Sequence, residues 1–204
     1  MGEARSPIQL QDLGQIGAAY WWLVIVGAVL SLARFSEAFL VLRAEDVGLA
    51  IALVPIVFII MNVVYAASAY PAGTLLGRMD RRLILAVGFV VLIAADAVLA
   101  LATDIWVVMV GTVLWGLHMG LTQCLLAAML ADATLPRIRG TAFGIFNLVT
   151  GMALLSGNLL AGFLWDHYRP STTFFAGAEI TAVALVGLIT LQDSRLSFRM
   201  TDEK

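Results

Sequence analysis

Residues 83–102 read LILAVGFVVLIAADAVLALA, twenty positions with a single ionisable side chain, Asp96. An α-helix rises about 1.5 Å per residue and the hydrocarbon core of a bilayer is about 30 Å thick, so this run is long enough to cross. It is also too long and too uniformly apolar for a core strand or for the buried stripe of a soluble helix. Comparable runs recur at residues 20–42, 47–76, 105–131, 141–165 and 172–191, and none shows the alternation of a membrane β-barrel. An all-α integral membrane protein of six transmembrane helices is expected. Pro55 and Pro71 in the second run predict a kink and a distortion near its exit.

The rest of the chain agrees with lipid as its solvent. It is 61% hydrophobic and 13% charged, against about 45–50% and 25% in soluble domains. A net charge of −2 leaves no basic field for a nucleic acid backbone. Cys124 stands alone, which excludes a disulfide framework and a thiolate metal cluster. The first nineteen residues carry acids and glutamines where a cleaved signal would carry a basic segment and then an apolar one, so the first span is expected to direct insertion. Ile8, Leu10, Leu13 and Ile16 fit a short helix on the membrane surface, and a disordered leader fits as well. The expected organisation is a leader over 1–19, a bundle over 20–192 and a tail over 193–204.

Basic residues favour the cytoplasmic side of a membrane. Arg5, Arg78, Arg81, Arg82, Arg137, Arg139, Arg195, Arg199 and Lys204 fall on one side of the six spans, and only Arg43 and Arg169 on the other. Both termini are therefore expected in the cytoplasm. An offset of 89 residues lays the first span on the fourth, matching Gly27 with Gly116 and Gly73-Thr74-Leu75 with Gly162-Phe163-Leu164. Three helices per unit is an odd number, so the two units enter the membrane from opposite faces as inverted repeats, an architecture of transporters. Gly73 and Gly77, Gly116 and Gly120, and Gly140 and Gly144 form small-residue pairs of the kind that lets helices approach closely.

The loop after the second span runs Gly73-Thr74-Leu75-Leu76-Gly77-Arg78-Met79-Asp80-Arg81-Arg82. It resembles the signature loop of the major facilitator superfamily, Gly-x-Leu-x-Asp-Arg-x-Gly-Arg-Arg. Gly73, Leu75, Arg78, Arg81 and Arg82 match, while Gly77 replaces the aspartate and Asp80 the second glycine. The fifth span, from Arg139-Gly140-Thr141-Ala142-Phe143-Gly144 through Gly162-Phe163-Leu164-Trp165-Asp166, is similar to the eleventh helix of bacterial members. The resemblance covers nearly the whole chain. It implies the carboxy-terminal six-helix half of such a transporter, with residues 11–20 where the central loop would enter the seventh helix. It further implies a bacterial inner membrane location and one wall of a substrate cavity, completed by a missing amino-terminal half or a second copy of this chain.

Ionisable and amide side chains inside spans are then the candidates for function, because a charge at mid-bilayer costs about 2.5–3.5 kcal/mol on insertion scales. Arg34 and Glu37, three apart on the first span, are expected on one helix face as a pair lining the cavity or relaying a proton; a structural ion pair is the alternative. His118 lies on the span that the resemblance maps to a cavity-lining helix, and Gln123 occupies the position repeat-related to Arg34. A proton carrier and a packing histidine are both open for His118. Asn147 is the better cavity candidate of the two asparagines Asn147 and Asn158, which also suit interhelical hydrogen bonds. Asp96 and Glu179 fall on helices that resemble the outer scaffold, where structural pairing or capping is expected.

Enzymatic readings find little support. No His-Glu-x-x-His stretch offers a zinc site, Ser156-Gly157 lacks a histidine on the last helix to act as base, and His118 and His167 are too few for a histidine-rich metal centre. No glycine-rich phosphate loop followed by lysine occurs, so neither a nucleotide nor another cofactor is expected and an ion gradient would drive the work. The sequence therefore predicts a secondary transporter half that moves a small solute, with a transport-inactive scaffold and a small intramembrane enzyme as rivals.

Overall fold

The computed structural model describes residues 17–75 and 79–201, with side chains described for 17–74 and 79–189. The leader's Ile8, Leu10, Leu13 and Ile16, the loop residues Gly77 and Arg78, and the side chains of Leu75 and of the 193–204 tail lie outside the described residues. The elements are α1 (Ala18–Ala33), α2 (Ala38–Asp46), a 3₁₀ turn (Ile51–Leu53), α3 (Val54–Leu75), α4 (Arg81–Leu101), α5 (Ile105–Asp132), α6 (Arg139–His167) and α7 (Pro170–Thr201). Six segments are long and apolar enough to cross a membrane: Ala18–Asp46, Ile51–Thr74, Arg81–Leu101, Ile105–Asp132, Arg139–His167 and Pro170–Ile189. The chain is a multi-pass membrane protein.

The first span is not one helix. It breaks between Ala33 and Ala38, so Arg34 closes α1 and Glu37 opens α2, and the expected common helix face for this pair is corrected. Neither glycine nor proline causes the break. Three contacts hold it instead. The Ser36 N–H donates to Asn158 Oδ1 on α6 at 2.6 Å, the Arg34 N–H returns to the Leu30 carbonyl at 2.8 Å, and Phe35 is buried against Phe39, Trp115 and Phe174. Backbone freed from a helix inside a membrane persists only where protein satisfies it, and Asn158 supplies that partner. Pro55 is also corrected: it is the second residue of α3, where its missing N–H would be unpaired in any helix, and it kinks nothing. Pro71 does lie inside α3, which continues to Leu75.

Packing follows the repeat. The first helix of each unit lies on the middle helix of the other, α1 on α6 and α5 on α3, while the third helices α4 and α7 pack together. The offset of 89 relates the crossings residue by residue. A Cβ at Gly116 would lie 2.5 Å from the Met61 carbonyl oxygen, and one at Gly27 would meet Phe146 at 2.6 Å and Thr150 at 3.3 Å; Thr150 is the repeat partner of Met61. Gly120 abuts Ser68 on α3, and Gly157, the repeat partner of Ser68, abuts the backbone of Leu32 on α1. Of the expected glycine pairs only Gly116 and Gly120 serve close packing, since Gly73, Gly140 and Gly144 face open space.

Arg43, half-way along α2, is buried and closes the end of α4. Its Nε donates to the Leu99 carbonyl at 3.0 Å and its NH2 group to the Ala102 carbonyl at 2.7 Å, with the Ala100 carbonyl at 3.5 Å, and NH1 pairs with Asp46. Carbonyls at a helix C-terminus have no partner within the helix and carry its negative pole, which a guanidinium satisfies on both counts.

Candidate functional site

A cleft of about 320 Å³ opens between α1, α5 and α6. Three of the expected site residues line it, one from each helix: Arg34 at the end of α1, Gln123 on α5 and Asn147 on α6. Gly27 permits the close crossing of α1 and α6 at its base, and Phe143 and Phe146 supply an apolar wall. The walls therefore combine one guanidinium and two amides with aromatic surface, and no carboxylate lines the cleft. The arrangement suits reversible binding of a small, partly apolar molecule.

Arg34 makes no ion pair with a described residue, unlike Arg43, which pairs with Asp46, and Arg81, which pairs with Asp132. Glu37 and Tyr65 are close enough to act on its charge across space, but Glu37 is half-buried at the start of α2 and does not line the cleft. Tyr65, on α3, is a residue that sequence reasoning missed. Its hydroxyl donates to Gln123 Oε1 at 3.2 Å and so joins α3 to the polar constellation. Nothing in the sequence distinguishes it from a tyrosine at a membrane interface.

His118 is sealed within the bundle, fully buried, with Nδ1 2.8 Å from the Gly88 carbonyl on α4. It does not line the cleft. The partner expected for Asp96 is not found among the described residues: both carboxyl oxygens are buried without a hydrogen bond, beside Gly177 and the break in the first span. Glu179 on α7 is exposed.

The loop after α3 has a second, smaller organisation. Asp80, which stands where the signature has glycine, caps α4 by accepting from the Arg82 N–H at 2.9 Å. Arg81 pairs at 2.5 Å with Asp132 at the end of α5, and the Arg82 guanidinium lies 5.5 Å from the Trp22 ring centroid. These contacts gather the start of α1, the start of α4 and the end of α5 at one end of the bundle. Among the described residues nothing lies within 4 Å of a Cβ at Gly73, and Thr74 donates to the Pro71 carbonyl. Ser156, exposed on α6, donates to the Met152 carbonyl of its own helix, and His167 stacks on Phe163. No group of three potential metal ligands occurs among the described residues.

Known proteins of similar sequence agree with this architecture. An uncharacterized MFS-type transporter of Methanocaldococcus jannaschii is 28% identical over 178 residues, covering 82% of this chain and 43% of that protein. The class E tetracycline resistance protein of Escherichia coli is 26% identical over 78% of this chain and 38% of its own length. A quinolone resistance protein of Staphylococcus aureus is 20% identical over 61% of this chain and 32% of its own. The chain thus spans less than half the length of these relatives. A family model described as Major Facilitator Superfamily matches residues 21–198, from the second turn of α1 to the end of α7, and the chain belongs to that superfamily of membrane transporters.

Proposed function

We propose that this chain forms one half of a secondary active transporter, and that the cleft between α1, α5 and α6 is one wall of the cavity in which a small solute is carried by alternating access. The observation that carries the proposal is the convergence of Arg34, Gln123 and Asn147, from three helices and both repeats, on one surface. Two relatives bear names of drug resistance proteins, which supports a small organic solute. Glu37 stays in the proposal as an acid whose charge acts on Arg34, and so as the coupling residue for a proton gradient. The sealed position of His118 supports packing for that residue. A polar cleft cannot be left against lipid, so a second bundle covers it: the amino-terminal half or another copy of this chain.

Alternating access has a consequence that needs no substrate. In native membranes, with Cys124→Ser to remove the exposed native thiol, a cysteine placed by Asn147→Cys is expected to react with a charged, impermeant thiol reagent from either side of the membrane. Labelling from neither side, or from one side only, rejects the transport cycle and leaves a scaffold as the better account.

We also propose that both termini face the cytoplasm, on the excess of basic residues at the end where Arg81 and Arg82 lie. A reporter fused after Lys204 is expected inside the cell and one inserted at Asp104, between α4 and α5, outside; the reverse result inverts the topology.

A further inference from the structure

We infer that the cleft selects anionic amphiphiles, solutes that carry a carboxylate or a comparably acidic oxygen group on an apolar body of one or two rings. The inference rests on the reading of this cleft as the substrate site. Arg34 is its first support. The guanidinium stands within a membrane span, lines the cleft, and is bonded to no carboxylate of the described residues. Arg43 and Arg81 are committed elsewhere, Arg43 to Asp46 and the end of α4, and Arg81 to Asp132. Glu37 acts on the Arg34 charge only across space and leaves the guanidinium's donors free in the cleft, so an acidic group on a ligand can match it, and the planar guanidinium fits a carboxylate through two parallel N–H···O bonds.

The neighbouring amides agree in polarity. Tyr65 donates its hydroxyl to Gln123 Oε1, so the acceptor side of that amide is engaged and its N–H groups are left to face a ligand oxygen. Asn147 adds a second amide with two donors, exposed on α6. Since the lining holds no aspartate or glutamate, a cationic head would meet Arg34 with no carboxylate in the cleft to receive it, and a neutral one would leave the guanidinium without a charged partner there. Leu30, Leu126, Phe143 and Phe146 supply apolar and aromatic surface for the body. A cleft of about 320 Å³ sits at the small end of ligand pockets, which limits the wall to a compact ring system.

Three probes sharing one ring body isolate the head group: 1-naphthaleneacetate, 2-(1-naphthyl)ethanol and 2-(1-naphthyl)ethylammonium. Each is titrated calorimetrically into the assembly purified from native membranes, this chain together with the bundle that covers the cleft, in nanodiscs of zwitterionic phosphatidylcholine, which offers no competing anionic lipid. The acetate is expected to bind about tenfold more tightly than the alcohol, and the ammonium most weakly. Arg34→Gln is expected to bring the acetate within about twofold of the alcohol. Arg34→Lys, which keeps the charge and loses the fork, retains the order of the three probes and guards against a misfolded glutamine variant. An ammonium or alcohol preference, an acetate preference that survives Arg34→Gln, or no saturable binding of any probe would overturn the inference. Thiol labelling of Asn147→Cys from both sides reports transport independently, so a moving protein with no anion preference is distinguishable from a selective site that does not move.

Discussion

Replacing Arg43 with alanine is expected to destabilise the bundle by about 2–4 kcal/mol, because it removes the donor to buried carbonyls at the end of α4. Arg43 is 8% exposed and bonds to the Leu99, Ala100 and Ala102 carbonyls besides Asp46. Without it, the Ala100 and Ala102 carbonyls lose the donor that Arg43 supplies, the Leu99 carbonyl keeps a long bond from the Ala102 N–H at 3.4 Å, and Asp46 loses its counter-charge. Each buried polar group left unpaired costs about 1–3 kcal/mol. Arg43→Lys keeps a positive charge at the helix C-terminus but cannot span three acceptors with a fork, so an intermediate loss is expected. Thermal unfolding of the purified protein in detergent, followed by circular dichroism, orders the three proteins. Equal midpoints for the wild type and Arg43→Ala would mean that the end of α4 is satisfied by other means. The same geometry accounts for a basic residue on the sparsely charged side: the charge is consumed within the fold.

The second large effect belongs to the helix crossings. Gly116→Ala would place a methyl group 2.5 Å from the Met61 carbonyl oxygen, and backbone cannot rotate aside as a side chain can. The helices α3 and α5 must separate, at a cost of about 1–3 kcal/mol for overpacking. Gly157→Ala meets the Leu32 carbonyl in the same way and is expected to cost a similar amount. Gly144→Ala is the control, because nothing lies within 4 Å of its Cβ and alanine in a helix is favoured over glycine by about 0.5–1 kcal/mol. The thermal midpoint of the isolated chain should therefore fall for Gly116→Ala and Gly157→Ala and hold or rise for Gly144→Ala. Three indistinguishable midpoints would contradict the close crossings.

Much of this is legible in the sequence, for physical reasons that differ from element to element. The six spans are readable because bilayer thickness fixes a length and a composition that no other environment demands. The repeat is readable at Gly27 and Gly116 because both mark a crossing where a side chain does not fit. The break in the first span is not readable. The residues 34–37 include neither glycine nor proline, and the partner that stabilises Ser36, Asn158, lies 122 residues away. The cleft residues Arg34, Gln123 and Asn147 stand out as polar groups in apolar helices, whereas Tyr65, which reaches Gln123 from α3, blends with interfacial tyrosines. His118 shares α5 with Gln123 but is five residues away, about 140° around the helix, so the two could not face one surface. Periodicity alone carries that distinction, and identity as a polar residue in a span does not.

The exchange of partners between the repeats also bears on biogenesis. The helices α1, α3 and α4 make at most marginal contact with one another, and their principal neighbours are α5, α6 and α7. As these spans are made, α1, α3 and α4 therefore enter the bilayer with little surface to share among themselves. α3 and α4 gain a common neighbour when α5 is inserted, and α1 waits for α6. The break at residues 34–37, whose Ser36 amide depends on Asn158 of α6, is left without that acceptor over the same interval, so the bent form of the first span belongs to the assembled bundle and is acquired late in synthesis.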